Sequence, residues 1–318
     1  MAAEEYYIAA FNEISDMLSG RDSLSVKRST FLAEWAYYEG NLDYNKDFCE
    51  EIKRIADWIT LLYNVNNLSM YETGKQIAMN EYFFNPYSGN NYTPYTYDFE
   101  NFSFEEQNWE TQFVHKLLKT HKGQCRSLPW AYKIIANEIG ADVQIALAPG
   151  HCYIMYKDAD NFTPEEWINL ELTTHRMTPS YYIKKDFEIC DSAIIVGTYM
   201  TPLNDRETVA CQLGDLAFGY FKKFKRYDEF TYYCSSRSLE FFPMNPNAWI
   251  IRSKSLLSIL NRYLEKYGYV IDNYTNIIVT LLEETKIGLE RTFMKEEDEE
   301  SREHRREQYL EITKQFLN

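Results

Sequence analysis

Three separated phrases between Gly123 and Thr173 carry residue types that together can activate a nucleophile. They are Gly-Gln-Cys-Arg-Ser-Leu-Pro (Gly123 to Pro129), Pro-Gly-His-Cys-Tyr-Ile-Met-Tyr (Pro149 to Tyr156) and Trp-Ile-Asn-Leu-Glu-Leu-Thr (Trp167 to Thr173). In that order they supply a thiol, an imidazole and a carboxylate. A thiol becomes a strong nucleophile once a base takes its proton. The base works best when a third group fixes its tautomer and steadies the cation it becomes. Cys125, His151 and Glu171 are the candidates for these roles.

Positioning them falls to short elements whose ends are marked in the sequence. Pro129 has no N–H, so it fits only the first turn of a helix. Leu128, Tyr132, Ile135 and Ile139 follow at helical spacing, and Gly140 closes the run. Cys125 is therefore expected at or just before a helix N-terminus, where unpaired N–H groups and the helix dipole favour an anion. Val143, Ile145 and Leu147 alternate as a strand that Pro149-Gly150 ends. A second strand opens at His151. It sends His151, Tyr153 and Met155 to one face and Cys152, Ile154 and Tyr156 to the other, which takes Cys152 away from the imidazole. Trp167 to Thr173 reads as a third strand with Asn169 and Glu171 on one face. A hairpin turning around Asn161, in the polar loop between them, sets His151 and Glu171 directly opposite each other.

These phrases resemble the transglutaminase-like branch of the papain-type cysteine fold. Its pattern is a cysteine opening a helix, a histidine opening a strand, and Trp-Val-x-x-Asp-Pro-Thr in the next strand. Gly-Gln-Cys125, His151-Cys-Tyr-Ile and Trp167-Ile-Asn-Leu-Glu171-Leu-Thr173 match its three parts. The resemblance covers Gly123 to Thr173 and is greatest to the bacterial subgroup with a helical region before this core and tetratricopeptide-type helices after it. Glu171 stands where the family has Asp, and Leu172 where it has Pro. Glutamate is one methylene longer, so its approach to the histidine must differ. The resemblance implies a Cys125–His151–Glu171 triad acting on a peptide or protein substrate without metal or cofactor. Asn169, on the face of Glu171, is a fallback third member, and Gln124 is a further auxiliary candidate.

The rest of the chain reads as the body of an α+β protein. Residues 1–104 form a helical N-terminal region, 105–205 the transglutaminase-like core with a small antiparallel sheet, and 206–318 a helical, tetratricopeptide-like region. Residues 5 to 70 carry helical stripes (Phe31, Leu32, Trp35, Tyr38, then Ile52, Ile55, Ala56, Ile59, Leu62) separated by a turn at Gly40-Asn41. Asn85 to Asn101 is a long loop whose Tyr87, Tyr92, Tyr95 and Tyr97 pack it down or contact substrate. A helix from Glu105 to Thr120 follows. His115 and His121 have no metal-spaced partner. Leu213-Gly214, Ala217, Tyr220, Leu239-Glu240 and Pro246 to Trp249 resemble parts of one tetratricopeptide unit, and from Ile277 to Asn318 the pattern is a long helix interrupted by the mixed-charge run from Lys295, an exposed helix or a frayed tail.

Composition narrows the partners. A formal charge of −15 repels nucleic-acid phosphates, and no apolar run is long enough to span a membrane. Six scattered cysteines without CxxC make neither a disulfide framework nor a zinc site. The acidic start has no signal-peptide pattern, so a cytoplasmic location is expected, or a periplasmic or secreted one if a leader was removed. The functional expectation is acyl transfer, as peptide or amide hydrolysis or transamidation. The alternative is an inactive peptide-binding module whose C-terminal helices recruit a protein partner.

Overall fold

Helix boundaries follow the side chains able to cap them. In a computed structural model, residues 2–100, 109–269 and 271–295 are described, together with Glu303, Glu307 and Glu311. The helices are α1 (Ala3–Ser19), α2 (Val26–Tyr37), α3 (Glu50–Val65), α4 (Gly74–Phe84), α5 (Val114–Thr120) and α6 (Ser127–Ile139). After them come α7 (Ser180–Asp186), α8 (Asp191–Ile195), α9 (Asp205–Phe224), α10 (Glu229–Phe241), α11 (Pro246–Tyr267) and α12 (Asn273–Thr292). The strands are β1 (Thr96–Tyr97), β2 (Lys122–Gly123), β3 (Gln144–Ala148), β4 (His151–Lys157), β5 (Trp167–Glu171) and β6 (Arg176–Met177). The chain is α+β, with helix predominating. Among the described residues no helix is long and apolar enough to cross a membrane.

Contacts divide the chain into two compact units. The first holds Met1–Leu42, Cys190–Thr198 and Leu203–Met294, and its regular elements among the described residues are helices. Ser25, Asn204, Asp228, Asn245 and Asp272 each accept a backbone N–H at the start of the helix they precede; each such cap stabilises by about 1 kcal/mol. Successive helices α9 to α12 pack side by side, and α1 and α2 pack on α9. Tyr7 lies edge-on to Tyr220, Phe224 and Phe230 in this core. The division expected from sequence, at 104/105 and 205/206, leaves α1 and α2 with the helices that follow them. In the structure they belong with α9 and α10 instead, because an apolar stripe marks which face is buried and not what covers it.

The second unit holds Asp43–Ile189 and Tyr199–Pro202, with Lys295. Its sheet is antiparallel in the order β3-β4-β5-β6, and β1 pairs with β2 in parallel. β3 and β4 join through Pro149-Gly150, where Gly150 takes the positive φ of 62° that a side chain resists. Helix α6 packs on β3 and β4 and also on α3, α4 and α5. It is consequently buried from Ser127 to Ala136, on all sides and not along a stripe alone. The loop after α4 is packed down: Tyr95 and Tyr97 are buried, Tyr87 is half-buried, and only Tyr92 of the four tyrosines projects to solvent. Its last residue, Asn101, and the first four of the helix expected from Glu105 lie outside the described residues. From Trp109 that helix is broken: a 3₁₀ turn ends at Gln112, and extended Phe113 precedes α5. The helical run expected over residues 5–70 turns around Gly40, as its sequence indicates, but is also interrupted after Gly20, and α12 ends at Thr292.

Candidate active site

The pairing of β4 with β5 sets the first two residues. Met155 lies opposite Asn169 and Ile154 opposite Leu170, so the hairpin is symmetric about Phe162 and not Asn161. This shift keeps every side chain on its expected face. It moves Glu171 from directly opposite His151 to the diagonal. The longer glutamate bridges that diagonal, and Nε2 of His151 meets Oε2 of Glu171 at 2.6 Å. Oε1 of Glu171 accepts the Thr173 amide at 3.2 Å and the Thr173 hydroxyl at 2.8 Å. Phe187 stacks on the imidazole with 5.0 Å between centroids. His151 and Glu171 are both buried.

The third residue is set by the entry to α6. The parallel pair β1–β2 ends at Gly123, whose carbonyl accepts the Asp98 amide at 2.7 Å. A Cβ at Gly123 would lie 2.6 Å from Ser127 Oγ and 2.8 Å from Leu117 Cδ1, so a side chain here would push those two groups aside. Ser127 Oγ accepts the Gln124 amide at 2.9 Å, and the Leu128 amide reaches back to the Gln124 carbonyl at 3.1 Å. Cys125 sits in the turn between them, half-buried, immediately before α6. Its side chain lies near enough to His151 to help raise the imidazole's pKa. Cys152 points to the opposite face, where its thiol donates to the Cys125 carbonyl at 2.9 Å and pins the turn to β4.

Charge in this group is shared, not neutralised. Burial pulls the His151 pKa down, but the Glu171 charge, with the Cys125 and Glu171 hydrogen bonds, outweighs it and raises the value to about 10. For Glu171, burial pushes the other way, yet the imidazolium and the two Thr173 bonds hold its carboxyl below the usual value. Both partners point to an imidazolium–carboxylate pair beside a sulfur.

Of the residues singled out by sequence, Cys125, His151 and Glu171 come together, and two do not join them. Asn169 donates to the Thr178 carbonyl at 3.2 Å and to Ser180 Oγ at 2.9 Å, fastening the start of α7. Gln124 donates to the Asp98 carbonyl at 2.9 Å, fastening the strand beside the thiol. Phe187 is not marked in the sequence, and Thr173 is marked there only as the last residue of the Trp167 to Thr173 match. Thr173 had one visible signal, a hydroxyl two positions beyond the carboxylate; Phe187 had none. His121 contacts the Thr93 carbonyl and stacks on Tyr95, so it serves the loop. A cleft of about 440 Å³ lined by Lys46, Asp47, Glu51, Arg54, Lys119 and His121, among others, contains none of the three. Its carboxylates already hold Arg54 and Lys119.

Comparison of the chain with family models, with curated proteins and with solved structures found no match.

Proposed function

We propose that this protein is a thiol-dependent acyl-transfer enzyme of the transglutaminase-like kind, acting on a peptide or amide bond. The observation that carries the reading is one buried imidazole placed between the Cys125 side chain and, at 2.6 Å, the Glu171 carboxylate. The Cys125 thiolate attacks the carbonyl carbon, and the C=O π pair moves onto oxygen. That oxygen forms beside the N-terminus of α6, where backbone N–H groups and the helix dipole oppose its charge. His151 then delivers its proton to the leaving nitrogen as the C–N bond breaks, giving a thioester and a free amine. Water, losing a proton to His151, attacks the thioester and returns the thiol with a carboxylic acid; an attacking amine would return an amide instead. Glu171 keeps its charge throughout and steadies the imidazolium.

Iodoacetamide labelling in mildly acidic buffer, read peptide by peptide, tests this. Cys125 is expected to label faster than the exposed Cys190 by at least tenfold, roughly the advantage of a paired thiolate over a free thiol. His151→Ala should remove that advantage. Equal labelling of the two cysteines in the wild type would sink the enzyme and leave a peptide-binding module.

A further inference from the structure

The Glu171 carboxylate divides its two oxygens between two duties. Oε2 faces His151, and Oε1 takes both donors of a single residue, the amide and hydroxyl of Thr173. Thr173 is itself buried, so its hydroxyl spends its proton on this bond in a place with little competing water. A buried carboxylate oxygen without donors would be costly. One with donors on the far side from the imidazole is fixed in rotation as well as charge.

The need for fixing follows from the register. The β4–β5 ladder, continued past its last pair Ile154–Leu170, puts His151 diagonal to Glu171, and Thr173 lies in the turn that follows β5. The diagonal requires the extra methylene of glutamate, and that methylene adds a rotatable torsion. A tether on the oxygen turned away from the imidazole removes this freedom. The longer acid and the threonine therefore act together, and neither substitutes for a shorter acid held by the sheet alone.

We infer that Thr173 is a positioning residue, a clamp that sets the Glu171 carboxylate at the reach His151 requires. The inference rests on the acyl-transfer reading for its purpose, but its geometry can be tested without turnover. Thr173→Val keeps the shape and removes the hydroxyl; Thr173→Ser keeps the hydroxyl. Two readouts separate positioning from simple stability: the midpoint of the His151 imidazole titration by NMR, and the iodoacetamide rate of Cys125 in folded protein. Thr173→Val is expected to lower the midpoint by about one pH unit and slow alkylation roughly tenfold, the worth of one charge-assisted hydrogen bond. Thr173→Ser should stay within about twofold of wild type. Glu171→Asp, with Thr173 intact, should slow alkylation as much as Glu171→Gln does.

A folded Thr173→Val with unchanged midpoint and rate would overturn the clamp and leave Thr173 a turn residue. Should Thr173→Val fail to fold, Thr173→Ala against Thr173→Ser decides on the same readouts. If wild-type Cys125 labels no faster than Cys190, the acyl-transfer reading fails. The NMR midpoint still judges the clamp in that case, and a lowered midpoint in Thr173→Val supports it.

Discussion

Asp228 in the helical unit and Glu171 in the sheet-bearing unit are both buried carboxylates in contact with several donors. Asp228 spends one oxygen on the amides of Phe230 and Thr231, capping α10, and the other on the Tyr220 hydroxyl and the Arg226 guanidinium. Its donors are two backbone amides, a hydroxyl and a permanently charged guanidinium, and that guanidinium goes on to the Tyr220 hydroxyl and to Glu4. Glu171 instead spends one oxygen on an imidazole, a group that can accept and release a proton, and that imidazole next meets a thiol. The contrast shows that burial and hydrogen bonding of an acid do not mark a reactive site. What marks it is a chain of partners that leads from the acid through a titratable ring to a nucleophile.

The sharpest break in this comparison is Glu171→Gln. The amide keeps the shape but cannot hold an imidazolium, and Cys125 alkylation is expected to fall about a hundredfold, with the protein still folded. A rate within twofold of wild type would mean that the carboxylate is as passive as Asp228. The pH dependence of stability comes next. The raised His151 value makes its contribution complete below about 6.5 and lost as pH climbs toward about 10. The depressed Glu171 value makes its contribution complete above about 4.5 and lost as pH falls through the folded carboxyl's own, lower value. Urea midpoints of wild type and His151→Gln should therefore differ most between about pH 4.5 and 6.5 and converge toward about pH 10. A constant difference from about pH 5.5 to 9.5 would remove the ion pair.

Much of this arrangement was legible because it depends on local rules. Pro129 and Gly140 bracket α6, and period-two alternation put His151 and Cys152 on opposite faces, as β4 has them. The register was not legible, because the hairpin loop is too long to be fixed by a turn type. Asp158 winds the loop by accepting the Phe162 and Thr163 amides, and Asp160 leaves it to bond Thr73 and Glu72 at the start of α4. A one-residue move of the symmetry point follows from contacts some ninety positions away in sequence, as with Glu72 and Asp160 at a separation of 88. The grouping of α1 and α2 with α9 was hidden for the same reason. Cap residues such as Asn204 and Asp228 announce where helices begin, but nothing local states what they pack against.

Gly288 offers a control in which stability alone should change. A Cβ there would collide with the Trp249 ring. Gly288→Ala is expected to cost about 2 kcal/mol by overpacking, read as a lower urea midpoint. Cys125 alkylation in the folded protein should stay at the wild-type rate. A slowed thiol would show that the rate reports general loosening and that the Glu171 result needs the same discount.

The smallest effect expected is also the closest match to the first. Asp228→Asn is the same edit as Glu171→Gln, a carboxylate changed to an amide in a buried site. Asparagine caps helices as well as aspartate does, so the bonds to Phe230 and Thr231 survive. The other oxygen is replaced by an NH₂ that faces two donors, the Tyr220 hydroxyl and Arg226. Tyr220 can turn its hydroxyl and accept, while Arg226, about half exposed, finds water. The net loss should be about 1 kcal/mol of stability, with no change in Cys125 alkylation. One edit then gives different readouts in the two units: stability without reactivity at Asp228, reactivity as well as stability at Glu171. If Asp228→Asn slowed the thiol, or Glu171→Gln only lowered the urea midpoint, the two acids would be of one kind and the distinction drawn from their partners would not hold.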